Sequence, residues 1–229
     1  MNRSQLEDLE RVLGEARSRS LTGNLPFDAQ RAHSEGFLRA LRLETIDGPV
    51  LELGSGGGLP GLVLALEDRS LRLVLLDSAR RSTEYLSWAI AELNLSSRVE
   101  VVHMRAEQFG RQDRFRGAFA AVVARSFGLP AVTAECAAPF LKVGGRLIVS
   151  EPPPDDSDTA RETSLLARRW PVEGCKTLGL APEFSLRDEF GYAVLRQVFP
   201  CPDRYPRRPG IPGKRPLFAE TPQSRATSR

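Results

Sequence analysis

The sequence is short of several features that would mark other classes of protein. It has only three cysteines, Cys136, Cys175 and Cys201, scattered so that no two form a metal knuckle or a CxxC redox pair. They read as buried or idle thiols of a reducing compartment. No segment approaches the roughly 20 consecutive apolar residues of a membrane span; runs such as Gly61–Leu66 and Leu73–Leu76 stop far short. The stretch from Met1 to Asp8 is charged from the outset and lacks the apolar centre of a secretory leader. The expected location is therefore the cytoplasm, with no membrane partner. No Ser/His/Asp set, buried acid–base dyad or metal cluster can be picked out. An excess of one charge is also missing, since 32 basic residues face 29 acidic ones for a net of +3. With 229 residues, 41% of them apolar and 27% charged, the chain has room for one substantial core and an appendage. Collagen-like, coiled-coil and wholly disordered readings are excluded.

The positive excess is local. Residues 200–229 hold seven basic and two acidic side chains, a net of +5, so the first 199 residues sum to −2. Such a segment is either a footprint for a polyanion or a solvated terminus.

Apolar spacing predicts helices over Asn2–Ser20 and Asp28–Leu41, the second with Asp28 as its N-cap. Strands and helices then alternate. Val50–Leu53, Arg72–Leu76, Val99–His103, Ala120–Ala124 and Gly145–Ser150, the last following a Gly144-Gly145 turn, read as strands. Arg80–Leu93, Leu129–Leu141 and Thr159–Trp170 read as helices, with a Pro/Asp loop over Glu151–Asp158. Cys175–Leu180 and Tyr192–Phe199 read as two closing strands close enough to pair antiparallel. This alternation predicts an α/β fold, a mostly parallel sheet covered by helices. We divide the chain into an N-terminal helical extension (1–45), a ligand-binding domain (46–200) and a basic Pro-rich tail (201–229).

In such sheets ligands bind beyond the carboxyl ends of the strands, which singles out four loops. The first holds five glycines between Gly54 and Gly61, with Pro60 suited to a first helical turn. Gly56-x-Gly58-x-x-Gly61 satisfies a dinucleotide pattern, a weak signal by itself. Glu52, two residues ahead of Gly54, instead suits the ammonium group of S-adenosylmethionine. In the second loop Asp77 could accept ribose hydroxyls or cap the following helix. In the third, the Ala106 N–H and the Glu107 carboxylate could read an adenine edge; a solvated helix start is the alternative for Glu107. In the fourth, Arg125 faces the crevice, where a charge normally has a partner, and a structural salt bridge is the competing explanation. The Asn/Asp/Ser-Pro-Pro-aromatic loop typical of exocyclic-amine methyltransferases is missing there.

Together the four loops resemble class I S-adenosylmethionine-dependent methyltransferases, with a Rossmann-like seven-stranded, mostly parallel sheet whose last strand is antiparallel. The segments Leu51–Leu62, Leu75–Ser78, Arg105–Phe109 and Ala124–Phe127, and above all the tail Tyr205–Leu217, resemble the RsmG (GidB) family, bacterial methyltransferases of guanine N7 in 16S ribosomal RNA. The resemblance covers about Val50 to Leu217. It implies cofactor contacts at Glu52, Gly54, Ser55, Gly56, Leu59, Ala106, Glu107 and Arg125, with Asp77 at the ribose. It implies Arg125 at the reacting centre and no metal. Arg207, Arg208, Lys214 and Arg215 would bind RNA, with the small ribosomal subunit as partner and a monomer expected. The N-terminal segment departs from the family: His33-Ser34-Glu35-Gly36-Phe37-Leu38 keeps the His and Leu of a His-x-x-Asp-Ser-Leu motif but not its Asp and Ser. His33 suits a structural histidine better than a catalyst. The competing readings are a diverged methyltransferase acting on another RNA site or a small molecule, an NAD-dependent reductase, and a non-catalytic RNA-binding protein. Side-by-side titration with NADH and S-adenosylmethionine separates the reductase; RNA binding without cofactor affinity would mark the last.

Overall fold

The computed structural model describes residues 1–153 and 162–219. The strands are β1 Val50–Leu53, β2 Leu73–Asp77, β3 Val99–His103, β4 Phe119–Ala124, β5 Leu141–Glu151, β6 Leu180–Arg187 and β7 Gly191–Gln197. They form one sheet in the order β3-β2-β1-β4-β5-β7-β6. β1 to β5 are mutually parallel, and β7 runs antiparallel to both β5 and β6. The expected mostly parallel sheet with an antiparallel last strand is what forms. The strand order reverses between β1 and β4, which places the topological switch point beside the glycine-rich loop.

Alternate strand residues feed two cores, because side chains on a strand point to opposite faces with a period of two. Val50, Leu73, Leu75, Val123 and Ile148 pack under α1 Arg3–Ser18, α2 Phe27–Arg42, α3 Gly61–Glu67 and α4 Arg80–Glu92. Leu51, Leu53, Leu76, Val122 and Leu147 pack against the other layer, which holds α5 Ala106–Phe109, α6 Pro130–Ala137, α7 Glu162–Arg169 and α8 Val172–Lys176. A ninth short helix, α9 Ile211–Lys214, lies against α6. Among the described residues no helix is long and apolar enough to cross a membrane.

Local chemistry sets the helix limits. Asn2 and Gln5 form a capping box at the start of α1. Pro26, not Asp28, occupies the N-cap of α2; Asp28 lies in the first turn, where an acid favours the helix dipole. The last carbonyls of α2 are taken up by the buried Arg146, which donates to the Ala40 and Leu41 oxygens at 3.1 and 2.8 Å.

Four expectations need correction. The segment around Cys175 is the helix α8, and the sixth strand begins only at Leu180. β5 starts at Leu141, before the two glycines. Gly145 passes so close to the Ala120 and Phe119 carbonyls that a Cβ would lie 3.0 and 3.2 Å from them, where the β4–β5 register shifts. α6 ends at Ala137 and continues as a 3-10 turn over Ala138–Phe140, because Pro139 cannot extend it. α3 begins at Gly61, so Pro60 precedes it. The start of the helix expected from Thr159 and most of the Glu151–Asp158 loop lie outside the described residues.

At Gly36, where the His33 motif departs from its family pattern, a Cβ would lie 2.1 Å from the Tyr192 Oη. The phenol fills that space and donates to the His33 carbonyl at 2.6 Å. Gly36→Ala is therefore expected to cost about 1–3 kcal/mol by overpacking, and Tyr192→Phe about 1 kcal/mol. In urea unfolding the double variant should lose less than the sum of the two; strictly additive losses would show that the residues do not share this space.

Candidate active site

The loop after β1 hangs from the end of β2. The Gly54 and Ser55 N–H groups donate to the Leu76 carbonyl at 2.8 and 3.1 Å. The Asp77 carboxylate accepts from the Gly56 N–H through Oδ2 and from the Ala79 N–H through Oδ1, both at 2.8 Å. Asp77 thus bonds the N–H of Ala79, which is itself the N-cap of α4, and makes no side-chain cap to the helix; Asp77 also lines a crevice of about 260 Å³. Gly54, Ala106, Glu107, Phe127 and Gly210 also line it. Its size is at the lower edge of the roughly 300–1,000 Å³ common for small-molecule pockets.

Each predicted residue has a definite place. Gly54 adopts a φ of +68°, and a Cβ there would lie 2.7 Å from the Phe127 ring, so glycine suits both the backbone and the contact. Ala106 is the first residue of α5, and its N–H has no acceptor within the helix. Glu107 is buried; Oε1 accepts from Arg105 Nη2 at 3.0 Å and from the Gly210 N–H at 2.8 Å. Burial raises its pKa, but those two donors and Coulombic attraction to Arg105 prevail and hold the carboxyl below the usual range.

Glu52, Ser55, Gly56, Leu59 and Arg125 do not line the crevice wall. Ser55 and Leu59 are buried beneath the loop. Glu52 is fully buried behind it, with Oε1 accepting the Gly61 N–H at 3.2 Å and Oε2 lacking a hydrogen-bond partner. Burial pushes this carboxyl up to about 7, against the pull of the Gly61 N–H, Ser55 and Arg125. Arg125 is half-buried and, among the described residues, has no hydrogen-bond or ion-pair partner. The expected alternative of a structural salt bridge is therefore not what holds it. Its positive charge and the burial of His33 drive that imidazole down to about 4, burial being the larger cause. His33 stacks on Phe190 at 4.4 Å between ring centroids.

The tail is folded onto the body. Arg207 donates from its backbone N–H, Nε and Nη2 to the fully buried Glu135 of α6 at 2.6–3.1 Å. Arg116 binds the Tyr205 and Cys201 carbonyls at 2.7 and 3.0 Å. Arg208, Lys214 and Arg215 are exposed and make no ion pair among the described residues. Sequence reasoning missed Glu135, Phe127, Gly210 and Gly213. For the glycines a signal existed, since a Pro/Gly-dense segment needs a reason for its turns; Gly210 has a φ of +79°.

Residues 37–162 match the family model described as rRNA small subunit methyltransferase G. The chain belongs to that family. The ribosomal RNA small subunit methyltransferase G of Thermotoga petrophila is 36% identical over 177 residues, covering 76% of this chain and 74% of its own. That of Thermotoga neapolitana is 33% identical over 221 residues, covering 94% and 93%. Two solved structures share the fold at low identity. A putative O-methyltransferase from Klebsiella pneumoniae has a TM-score of 0.58 at 15% identity, covering 82% of this chain and 89% of its own. The O-methyltransferase from Bacillus cereus in complex with SAH has a TM-score of 0.58 at 17%, covering 86% and 91%. The family match begins at Phe37, which leaves α1 and the first turns of α2, including His33, outside it.

The raised Glu52 carboxyl gives a signed test. Its native state holds a proton more tightly than the unfolded chain, so its contribution to stability is present at low pH and is lost as pH rises through about 7. Thermal melts of Glu52→Gln and the parent should nearly coincide at pH 4, with the variant gaining relative stability toward pH 8. A gap independent of pH would mean that burial does not perturb this group.

Proposed function

We propose that this protein transfers a methyl group from S-adenosylmethionine to N7 of a guanine in 16S ribosomal RNA, acting as a cytoplasmic monomer on the small ribosomal subunit. The observation that carries the reading is the convergence of Gly54, Asp77, Ala106 and Glu107 on one crevice at the switch point of the sheet, in a chain of the rRNA small subunit methyltransferase G family.

The residues present fit the cofactor. Asp77 would hold the ribose hydroxyls, since each of its oxygens spends only one lone pair on the loop. The free Ala106 N–H and the ionised Glu107 match the acceptor and donor of an adenine edge. The Arg125 guanidinium has no hydrogen-bond or ion-pair partner among the described residues, and the cofactor's amino acid end carries a carboxylate that it would take up. Gly54 would supply backbone at the crevice wall, on the loop that Ser55, Gly56 and Leu59 complete behind it. When bound, S-adenosylmethionine supplies an electrophilic methyl group on a sulfonium.

N7 of guanine has an available lone pair and no proton to lose, so the chain needs no general base there. The low pKa of His33 suits a neutral wall better than a proton carrier. Arg125 would orient the guanine through O6 without occupying N7, or hold the cofactor's carboxylate. Catalysis then comes from positioning two reactants, worth up to about 7–11 kcal/mol. We assign the N-terminal helices (1–45) and the tail (201–229) to holding RNA around the methyltransferase domain (46–200). Of the four tail cations, Arg207 is already engaged by Glu135, which leaves Arg208, Lys214 and Arg215 for phosphates.

Labelled S-adenosylmethionine mixed with 30S subunits from a strain lacking this gene should place label on 16S RNA as N7-methylguanine. Cofactor binding without label transfer at saturation would overturn the substrate. Asp77→Ala is expected to weaken cofactor binding by about 1–3 kcal/mol, through the lost charged acceptor and the loosened loop; an unchanged dissociation constant by calorimetry would remove Asp77 from the site.

A further inference from the structure

We infer that Glu135 and Arg207 are positioning residues that lock the 205–215 segment over the crevice, so that cofactor and RNA bind with positive coupling through Glu107. The inference rests on the function proposed above and adds a mechanical link between its two ligands.

The link can be followed bond by bond. Glu135 is 0% exposed on α6, and among the described residues its hydrogen-bond partner is Arg207, which reaches it with three separate donors. A buried carboxylate deprived of its cation is costly, so this pair fixes Arg207 firmly. The same guanidinium also donates from Nη2 to the Arg215 carbonyl at 2.6 Å. One side chain thereby sets where the segment begins, at Arg207, and where α9 ends. Between those points the chain turns at Gly210, whose left-handed φ of +79° aims its N–H at Glu107 Oε1. Gly210 and Gly213 line the crevice beside Asp77 and Ala106. The segment also carries the exposed Arg208, Lys214 and Arg215.

Glu107 is therefore shared. Its Oε1 holds the segment, and its carboxylate is the group assigned to the adenine edge. A ligand that orders Glu107 favours the seated segment, which presents the three cations in one arrangement. A polyanion that holds those cations favours the same seated state. Two ligands that prefer one state help each other reciprocally, each raising the affinity of the other by the same factor. Burial of Glu135 has a second consequence: Arg207 adds little to the phosphate footprint although it is one of the tail's seven basic residues.

The test measures binding of 30S subunits lacking the modification, with and without saturating S-adenosylhomocysteine, in the parent and in Glu135→Gln. The demethylated product permits binding without turnover. The parent is expected to bind subunits at least about fivefold more tightly when the nucleoside is present, within the usual range of coupling. Glu135→Gln, with its melting checked by circular dichroism, should still bind each ligand alone but bring that factor close to one. Arg207→Lys leaves Glu135 a cation without the forked bridge to Arg215, and should lose the coupling in the same way. In Lys214→Ala/Arg215→Ala the slope of log affinity against log salt should become shallower by roughly 0.7–0.9 per lost phosphate contact; in Glu135→Gln, which frees the Arg207 charge, it should not become shallower. Equal factors in the parent and both lock variants, or no coupling in the parent, would overturn the inference. If the parent fails to bind the nucleoside at all, the proposed function itself falls; if it binds without coupling, only the link does.

Discussion

The site depends on one carboxylate at the end of a buried strand. Asp77 ties the Gly56 N–H of the first loop and the Ala79 N–H at the start of α4 to the tip of β2. Without that bridge the glycine-rich loop would be held to the sheet mainly by the Leu76 carbonyl. A loop so rich in glycine loses more conformational freedom on folding than ordinary chain, and charge-assisted hydrogen bonds from two directions offset part of that cost. The same residue lines the crevice, so the anchor of the loop is also part of the crevice wall.

The glycines themselves answer to two demands. A dense cluster after the first strand reads as clearance for a ligand. In the folded chain part of that clearance is filled by protein. A Cβ at Gly57 would lie 2.3 Å from the Thr22 Cγ2 and 3.0 Å from the Leu21 carbonyl, both in the turn after α1. Gly54 receives the Phe127 ring, while still forming part of the crevice wall. The N-terminal helices are therefore seated on the loop they would help to serve. A change in that segment therefore reaches the glycine-rich loop through packing.

Most of the sheet was legible because its physics is local. β1, β2 and β4 are nearly continuous apolar runs, as strands covered on both faces must be, while β3 at the sheet edge carries the exposed Glu100 and His103. The errors fall where local signals conflict with tertiary ones. Cys175 sits in an apolar-looking stretch that becomes helical because Pro171 starts a turn there. β6 is an edge strand of mixed polarity, with Ala181 through Arg187 at most half-buried, so no clean pattern announces it. Glu52 looked like a ligand for an ammonium by its position two residues before Gly54; its rotation behind the loop toward Gly61 is set by α3, which spacing cannot express. Glu135 and Arg207 are 72 residues apart, and an acid within an apolar helix gives no hint of its partner.

The same distance problem governs the meaning of charge. Thirty-two basic residues are indistinguishable in sequence, yet the fold sorts them by whether their donors are used. Arg146 closes the end of α2, Arg116 gathers the carbonyls of Cys201 and Tyr205, and Arg207 neutralises Glu135. These act as cross-links, and their charge is largely spent on fixed acceptors. Arg125, Arg208, Lys214 and Arg215 keep theirs. Donors already spent on fixed acceptors have less to offer a polyanion, so the effective footprint is smaller than the count of basic residues implies. Because attraction between exposed charges is screened beyond about 8–10 Å at physiological salt, the place of each unspent cation matters more than the net charge of the chain.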